Sequence, residues 1–345
     1  MTRARSMLAA VFLCGCVAHP ALASPGPPGR DRVFHVFMLL WRGESDVERG
    51  FRAYVEEKGL PFRLTVRSAD QDERLARRYV AEAKALRPDL VYTWGTTATL
   101  AAAGEFDKVD PAANITDIPI VFTMVADPVG ARIVPDVRSS GRNVSGVTQT
   151  VPVDSEIEAI SAYRPVTKLA IIYNPTEVNS VLKVAELRAA GAARKFTVLD
   201  RAIPLDHSGR PNAELIPTIL KEIVAERPQF LYLGPDTYVA KRADQITRFA
   251  NDERLPSFAG VELVLCQSHA LFGLFARYHT LGKLTARKVE QILVEKQRPQ
   301  DIPIESVNTF TYVINQTVMS QLQLYPPMSV LDYARVVKSC DELGE

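Results

Sequence analysis

Cysteine is scarce in this chain: four residues in 345, at positions 14, 16, 266 and 340. That excludes a fold built on a disulfide framework, and the spacing fits no zinc-ligand pattern. Net charge is nearly absent, with 41 Lys+Arg against 40 Asp+Glu. Neither nucleic acid nor an acidic membrane surface is therefore expected as a partner. No run approaches about 18 uninterrupted apolar residues, the length a membrane-spanning helix needs. Enzyme signatures are missing too: no G-x-x-x-x-G-K-S/T, no G-x-G-x-x-G after a strand, no G-x-S-x-G and no H-E-x-x-H. The five histidines are scattered. His35 sits inside a strand and reads as a core residue rather than a base, and His207 falls in a turn-like Asp206-His207-Ser208-Gly209-Arg210. No cofactor, metal or catalytic residue is expected. What the chain does have is apolar content, 47% of its residues, enough for about two domains of roughly 100–200 residues each.

The N-terminus reads as an export signal over 1–23. Arg3 and Arg5 precede an apolar run from Met7 to Ala18, and Ala21-Leu22-Ala23 offers a cleavage site before Ser24. Leu13-Cys14-Gly15-Cys16 competes with it as a lipobox, in which Cys16 would be acylated and become the first mature residue. Either processing route places the protein outside the cytoplasm, in the periplasm, where a Cys266–Cys340 disulfide is permitted.

From Asp31 onward, short β-rich runs alternate with helical patterns, the signature of βαβ units and a parallel sheet. Strands are expected at Val33–Leu40, Leu64–Arg67, Leu90–Thr93 and Ile120–Thr123, with helices from Ser45 and over Glu73–Leu86. The same order restarts near Lys168: strand Leu169–Tyr173, helix Glu177–Ala190, strand Phe196–Asp200, helix Ala213–Glu226, strand Phe230–Leu233. Arg87-Pro88-Asp89-Leu90-Val91-Tyr92 answers Arg227-Pro228-Gln229-Phe230-Leu231-Tyr232 in register. Two like-folded lobes follow. The fold class is α/β, with two Rossmann-like lobes of parallel strands around a ligand cleft. Ligands of open α/β sheets bind beyond the carboxyl ends of the strands, so the loops there carry the candidate site.

Trp41 and Arg42 follow the first strand and either stack on and pair with a ligand group or sit as a rim aromatic and a solvated cation. Thr96 and Thr97, after Gly95, open a helix; they either hold a carboxylate or simply cap it. Asn179 and Ser180 fall in the first turn of a helix after Asn174-Pro175-Thr176, where Thr176 is a candidate cap. Asp236, in Gly234-Pro235-Asp236-Thr237, either meets a ligand amine or hydroxyl or caps the helix from Tyr238.

Several segments in series resemble the ABC transporter substrate-binding protein family that includes tryptophan and tyrosine binders, with the type I periplasmic binding protein fold. They include Asp117-Ile118-Pro119-Ile120-Val121-Phe122 running to Ala126-Asp127-Pro128-Val129-Gly130, Asn143-Val144-Ser145-Gly146-Val147-Thr148, Tyr173-Asn174-Pro175, Gly234-Pro235-Asp236 and Asp301-Ile302-Pro303-Ile304. The resemblance implies a first lobe over 31–147 that reclaims a later helix at about 277–298. It implies a second lobe over 148–276, and a hinge crossover with a C-terminal extension over 299–345. It further implies that Thr96, Thr97 and Thr148 hold ligand oxygens, that Asn179 and Ser180 add polar contacts, and that Asp236 binds an amine. Trp41-Arg42-Gly43 replaces the family's usual histidine- and proline-containing segment, which separates this cleft from one for an aromatic amino acid. The expected role is delivery of a small polar, amino-acid-like solute to an ABC permease by a monomer. A periplasmic sensor for a membrane signalling protein is the alternative, and a periplasmic α/β enzyme a more distant one.

Overall fold

The computed structural model describes residues 32–344; the expected leader and Cys16 lie outside them. β1 (Phe34–Leu40, FHVFMLL) is buried along almost its whole length, as a strand covered by helices on both faces must be. α1 (Asp46–Glu57) follows, capped by Ser45, whose side chain and that of Glu48 form a reciprocal capping box. β2 (Phe62–Ser68), α2 (Glu73–Leu86), β3 (Leu90–Trp94), α3 (Thr96–Ala103), β4 (Ile120–Val125) and β5 (Val144–Thr148) complete the first run.

α4 (Val153–Tyr163) opens the second run. It continues through β6 (Lys168–Tyr173), α5 (Val178–Arg194), β7 (Thr197–Ala202), α6 (Ile216–Ala225), β8 (Phe230–Leu233), α7 (Thr237–Ala240), α8 (Ala243–Asp252), β9 (Ser257–Ala259), α9 (Glu262–Cys266) and β10 (Phe272–Phe275). α10 (Tyr278–Leu293), β11 (Glu305–Ser306), β12 (Thr311–Asn315) and β13 (Arg335–Val337) follow.

The first sheet has the order β2-β1-β3-β4-β5-β11 and the second β7-β6-β8-β9-β10-β12-β13. Every neighbouring pair is parallel except β10 with β12. Both orders reverse direction at the same topological place, between β1 and β3 in one sheet and between β6 and β8 in the other. The chain passes between the sheets three times, from β5 to α4, from β10 to α10 and from β11 to β12.

α10 packs on α1 in the first core, to which it gives Leu281, Ala286 and Val289. Two glycines permit the close crossing. A Cβ on Gly282 would lie 1.9 Å from the Val47 carbonyl oxygen, and one on Gly50 would lie 2.0 Å from that of His279. Each half buries a Tyr–Glu contact, though from helices at different places in the repeat. Tyr92 on β3 donates its hydroxyl to Glu48 over 2.6 Å, and Tyr232 on β8 donates to Glu156 over 2.9 Å. All four side chains are buried.

One local expectation needs correction. Thr176 does not cap α5; Glu177 occupies that position, and both the backbone N–H and the hydroxyl of Thr176 donate to Asn174. The C-terminal extension, by contrast, packs on the second lobe and supplies β13 at the edge of its sheet. Three residues are too few to show a period, so the strand is set by pairing with β12. A disulfide joins Cys340 in this tail to Cys266 at the end of α9.

Candidate functional site

The two reversal points face each other across a cleft with about 420 Å³ of open space, its mouth included. The loops after β1 and β3 line one wall, and those after β6 and β8 the other. This is where open α/β sheets hold ligands, because neighbouring connections diverge to opposite faces and leave a crevice.

The first wall is built of hydrogen-bond donors. Trp41 and Trp94 are 7% and 5% exposed, and Thr96 is 4% exposed. The indole N–H of each tryptophan and the hydroxyl of Thr96 have no partner among the described residues. Thr96 is not a cap: Gly95 holds that position at φ +88, and no side chain caps α3. The first backbone N–H groups of α3 therefore point at the cleft with the positive end of the helix dipole. The Arg42 guanidinium stacks 4.5 Å from the centre of the Trp94 ring. Burial pushes the Tyr278 hydroxyl above its ordinary range, against the pull of the neighbouring Arg42. Met124 closes the floor of this wall with a left-handed backbone, φ +57, at the point where the β4–β5 register shifts.

The opposite wall is acidic. Asp236 is 4% exposed and Glu177 is 5% exposed. Asp236 Oδ2 accepts from the Asn174 backbone N–H at 2.6 Å and the Ser180 hydroxyl at 2.8 Å, while Oδ1 accepts from the Val239 backbone N–H at 2.8 Å. Glu177 accepts from the backbone N–H groups of Thr237 and Tyr238 at 3.0 and 3.1 Å. Asn179 donates to the Pro235 carbonyl and lies on the cleft surface. Burial, reinforced by the Glu177 carboxylate, pushes the Asp236 carboxyl up to about 7. Two buried acids held this close favour a cation between them and the solvent.

Six of the eight residues singled out from the sequence meet at this cleft: Trp41, Arg42, Thr96, Thr97, Asn179 and Asp236. Thr148 and Ser180 do not line it. Thr148 ends β5, paired with Val125 and Ser306 where the chain leaves the first sheet. Ser180 lies behind the wall and holds Asp236. The alternative reading of Asp236 as a cap is present as well, since it caps α7 while facing the cleft. Sequence reasoning missed Trp94, Gln149, Glu177 and Tyr278 as lining residues. Trp94 and Glu177 each adjoin a loop already singled out. Gln149 and Tyr278 sit on crossovers between the sheets and carry no local signal.

Two mostly parallel sheets facing one cleft define a bilobal solute-binding protein of the type I periplasmic binding class. The chain belongs to the family of ABC transporter substrate binding proteins, whose family model matches residues 47–338. It is similar to a tyrosine-binding protein of Clostridioides difficile, with 26% identity over 287 residues, covering 80% of this chain and 76% of that one. Its fold matches a conserved domain protein of Vibrio cholerae at a TM-score of 0.78 and 23% identity, over 88% of this chain and 99% of that one. It also matches an ABC domain from Streptococcus pneumonia in complex with L-Trp, at a TM-score of 0.76 and 22% identity, over 88% and 100% of the two chains. The family is one of substrate-binding proteins.

Proposed function

We propose that this protein binds an amino-acid-like zwitterion between its lobes and delivers it to an ABC permease. The observation that carries this reading is the polarity across the cleft: donors on one wall, two buried carboxylates on the other. The ligand carboxylate would lie at the start of α3, against Thr96 and Thr97. Its ammonium would lie beside Asp236 and Glu177, with Asn179 adding a polar contact. The names of the relatives, one a tyrosine binder and one solved with L-Trp, support an amino-acid ligand. Each end of the ligand engages a different lobe, so a closed state gains contacts that an open state lacks, and binding shifts the population toward closure.

We further propose that the protein is exported to the periplasm through the segment 1–23 and acts there as a monomer. Isothermal titration with a panel of amino acids, on protein unfolded and refolded to strip any carried ligand, tests the ligand class. Micromolar binding at millimolar ligand should add about 4 kcal/mol of stability. No heat and no thermal shift with any amino acid would overturn the reading. Uptake of a labelled hit by cells with and without the candidate permease tests the partner. The mass of the exported protein distinguishes a start at Ser24 from an acylated Cys16.

A further inference from the structure

The donor wall holds more donors than one carboxylate can use. A carboxylate offers about four lone-pair sites. The start of α3 and the Thr96 hydroxyl already supply most of those, which accounts for one carboxylate. Trp41 and Trp94 then present two further indole N–H groups, each on a side chain more than nine-tenths buried and each without a partner among the described residues. Arg42 adds a guanidinium that forms no ion pair with any described residue and spends one donor on the Tyr278 hydroxyl, leaving the rest of its fork free. Indole and guanidinium groups donate only, so none of these three can satisfy another. They lie on one wall, with the Arg42 plane stacked on the Trp94 ring, a contact that fixes the guanidinium without neutralising it.

Buried donors without acceptors are costly, and a fixed guanidinium is suited to planar, bidentate recognition of an oxyanion. Together these observations favour a ligand with a second cluster of acceptor oxygens at the end remote from Asp236.

We propose that the solute carries a second anionic group, as an acidic amino acid does, and that Arg42 with the indole N–H groups of Trp41 and Trp94 selects for it. This rests on the zwitterion reading: the first carboxylate and the ammonium occupy the places given above, and the second anion takes the donors left over. Arg42 is then the residue that determines specificity.

The test compares acid with amide. L-glutamate against L-glutamine and L-aspartate against L-asparagine are titrated into the stripped wild-type protein, with L-tyrosine and L-tryptophan alongside. At least one acid should bind tenfold or more tightly than its amide and more tightly than either aromatic amino acid. In Arg42→Gln the acid-to-amide affinity ratio should collapse toward one. Amides or aromatic amino acids binding as tightly as the acids would overturn this proposal while leaving the zwitterion reading intact, as would an unchanged ratio in Arg42→Gln. Failure of all six while another amino acid of the panel binds would overturn this proposal alone; failure of the whole panel would overturn both. Should Arg42→Gln not fold, the wild-type comparison decides by itself.

Discussion

The Ser180 hydroxyl donates to Asp236 Oδ2 over 2.8 Å, joining the first turn of α5 to the loop after β8. With the Asn174 and Val239 backbone N–H groups on the same carboxylate, this contact holds the acidic wall in a single arrangement. Asp236 thus has a structural function through its hydrogen bonds, and the proposed function gives it a second, in recognition through its charge. Replacing it should expose both. Asp236→Ala should weaken binding of an amine-bearing ligand tenfold or more, because a hydrogen bond to a charged group is worth about 1.5–3 kcal/mol. It should also cost about 0.5–2 kcal/mol of stability through the lost cap. Titration and denaturant unfolding of the same variant separate the two effects, and unchanged affinity would remove Asp236 from the site.

A ligand ammonium seated beside the raised Asp236 carboxyl, as proposed, would make binding proton-linked. In the unfolded chain this group titrates near 3.9, whereas in the fold it titrates at about 7. The folded state therefore holds the proton over a window in which the unfolded state has lost it. The stability this provides is complete below about pH 4 and is lost as pH rises toward 7. A ligand ammonium beside the carboxylate lowers its affinity for the proton, so binding between about pH 5 and 7 should release protons and weaken as pH falls. Titration calorimetry in two buffers of different ionisation enthalpy reads the number released; zero protons, or uptake, contradicts the assignment.

Both tryptophans of the chain line the cleft, so intrinsic fluorescence reports on this site alone among indoles. Trp41→Phe and Trp94→Phe should each keep part of a ligand-induced change, and the double variant should lose it. Persistence of a tryptophan signal is impossible in the double variant, so the decisive comparison is affinity. Each single variant removes one donor and should bind about 2- to 10-fold more weakly, the range set by a net hydrogen bond of about 0.5–1.5 kcal/mol.

The Cys266–Cys340 disulfide ties the C-terminal tail to α9, next to the cleft residues Val261 and Leu263. The same tail is held by Arg277, which donates to the Gly344 carbonyl at 2.6 Å and pairs with Glu262 at 2.6 Å. Cys266→Ser with Cys340→Ser should lower stability by about 2–4 kcal/mol and weaken ligand binding, since α9 and the adjoining crossover at Tyr278 lose their brace. A melting temperature and affinity equal to those of the wild type would show that the tail is an independent appendage.

Gly282→Ala should be among the most damaging small substitutions in the molecule. Its new methyl would meet backbone at 1.9 Å, and backbone cannot step aside as a side-chain tip does. Overpacking costs about 1–3 kcal/mol where side chains can adjust, so the loss here should reach at least the top of that range. Thermal unfolding checks it, and a melting point within a degree or two of wild type would mean that α10 can lift away from α1.

Much of the lobe architecture was legible because its signals are local. Apolar runs at strand length, Ser45 at the start of α1, and the repeated Pro-x-x-x-Tyr at Tyr92 and Tyr232 each declare an element within a few residues. The loops worth inspecting followed from a general property of α/β sheets, and six of the residues found that way meet at one cleft. By itself, then, the sequence determined two α/β halves and which strand-end loops could carry a ligand, because strand period, caps and turns depend on neighbours in the chain. Only the tertiary structure decided which of those residues face the cleft. Ser180 and Asp236 are 56 residues apart, and which of them touches ligand depends on how α5 packs against the loop after β8. Tyr278 and Gln149 reach the cleft because the chain crosses between sheets beside it, and Trp94 and Arg42 stack because β1 and β3 are neighbours in the sheet order. Those relations come from the packing of one sheet and its connections as a whole, a long-range choice that no local pattern encodes.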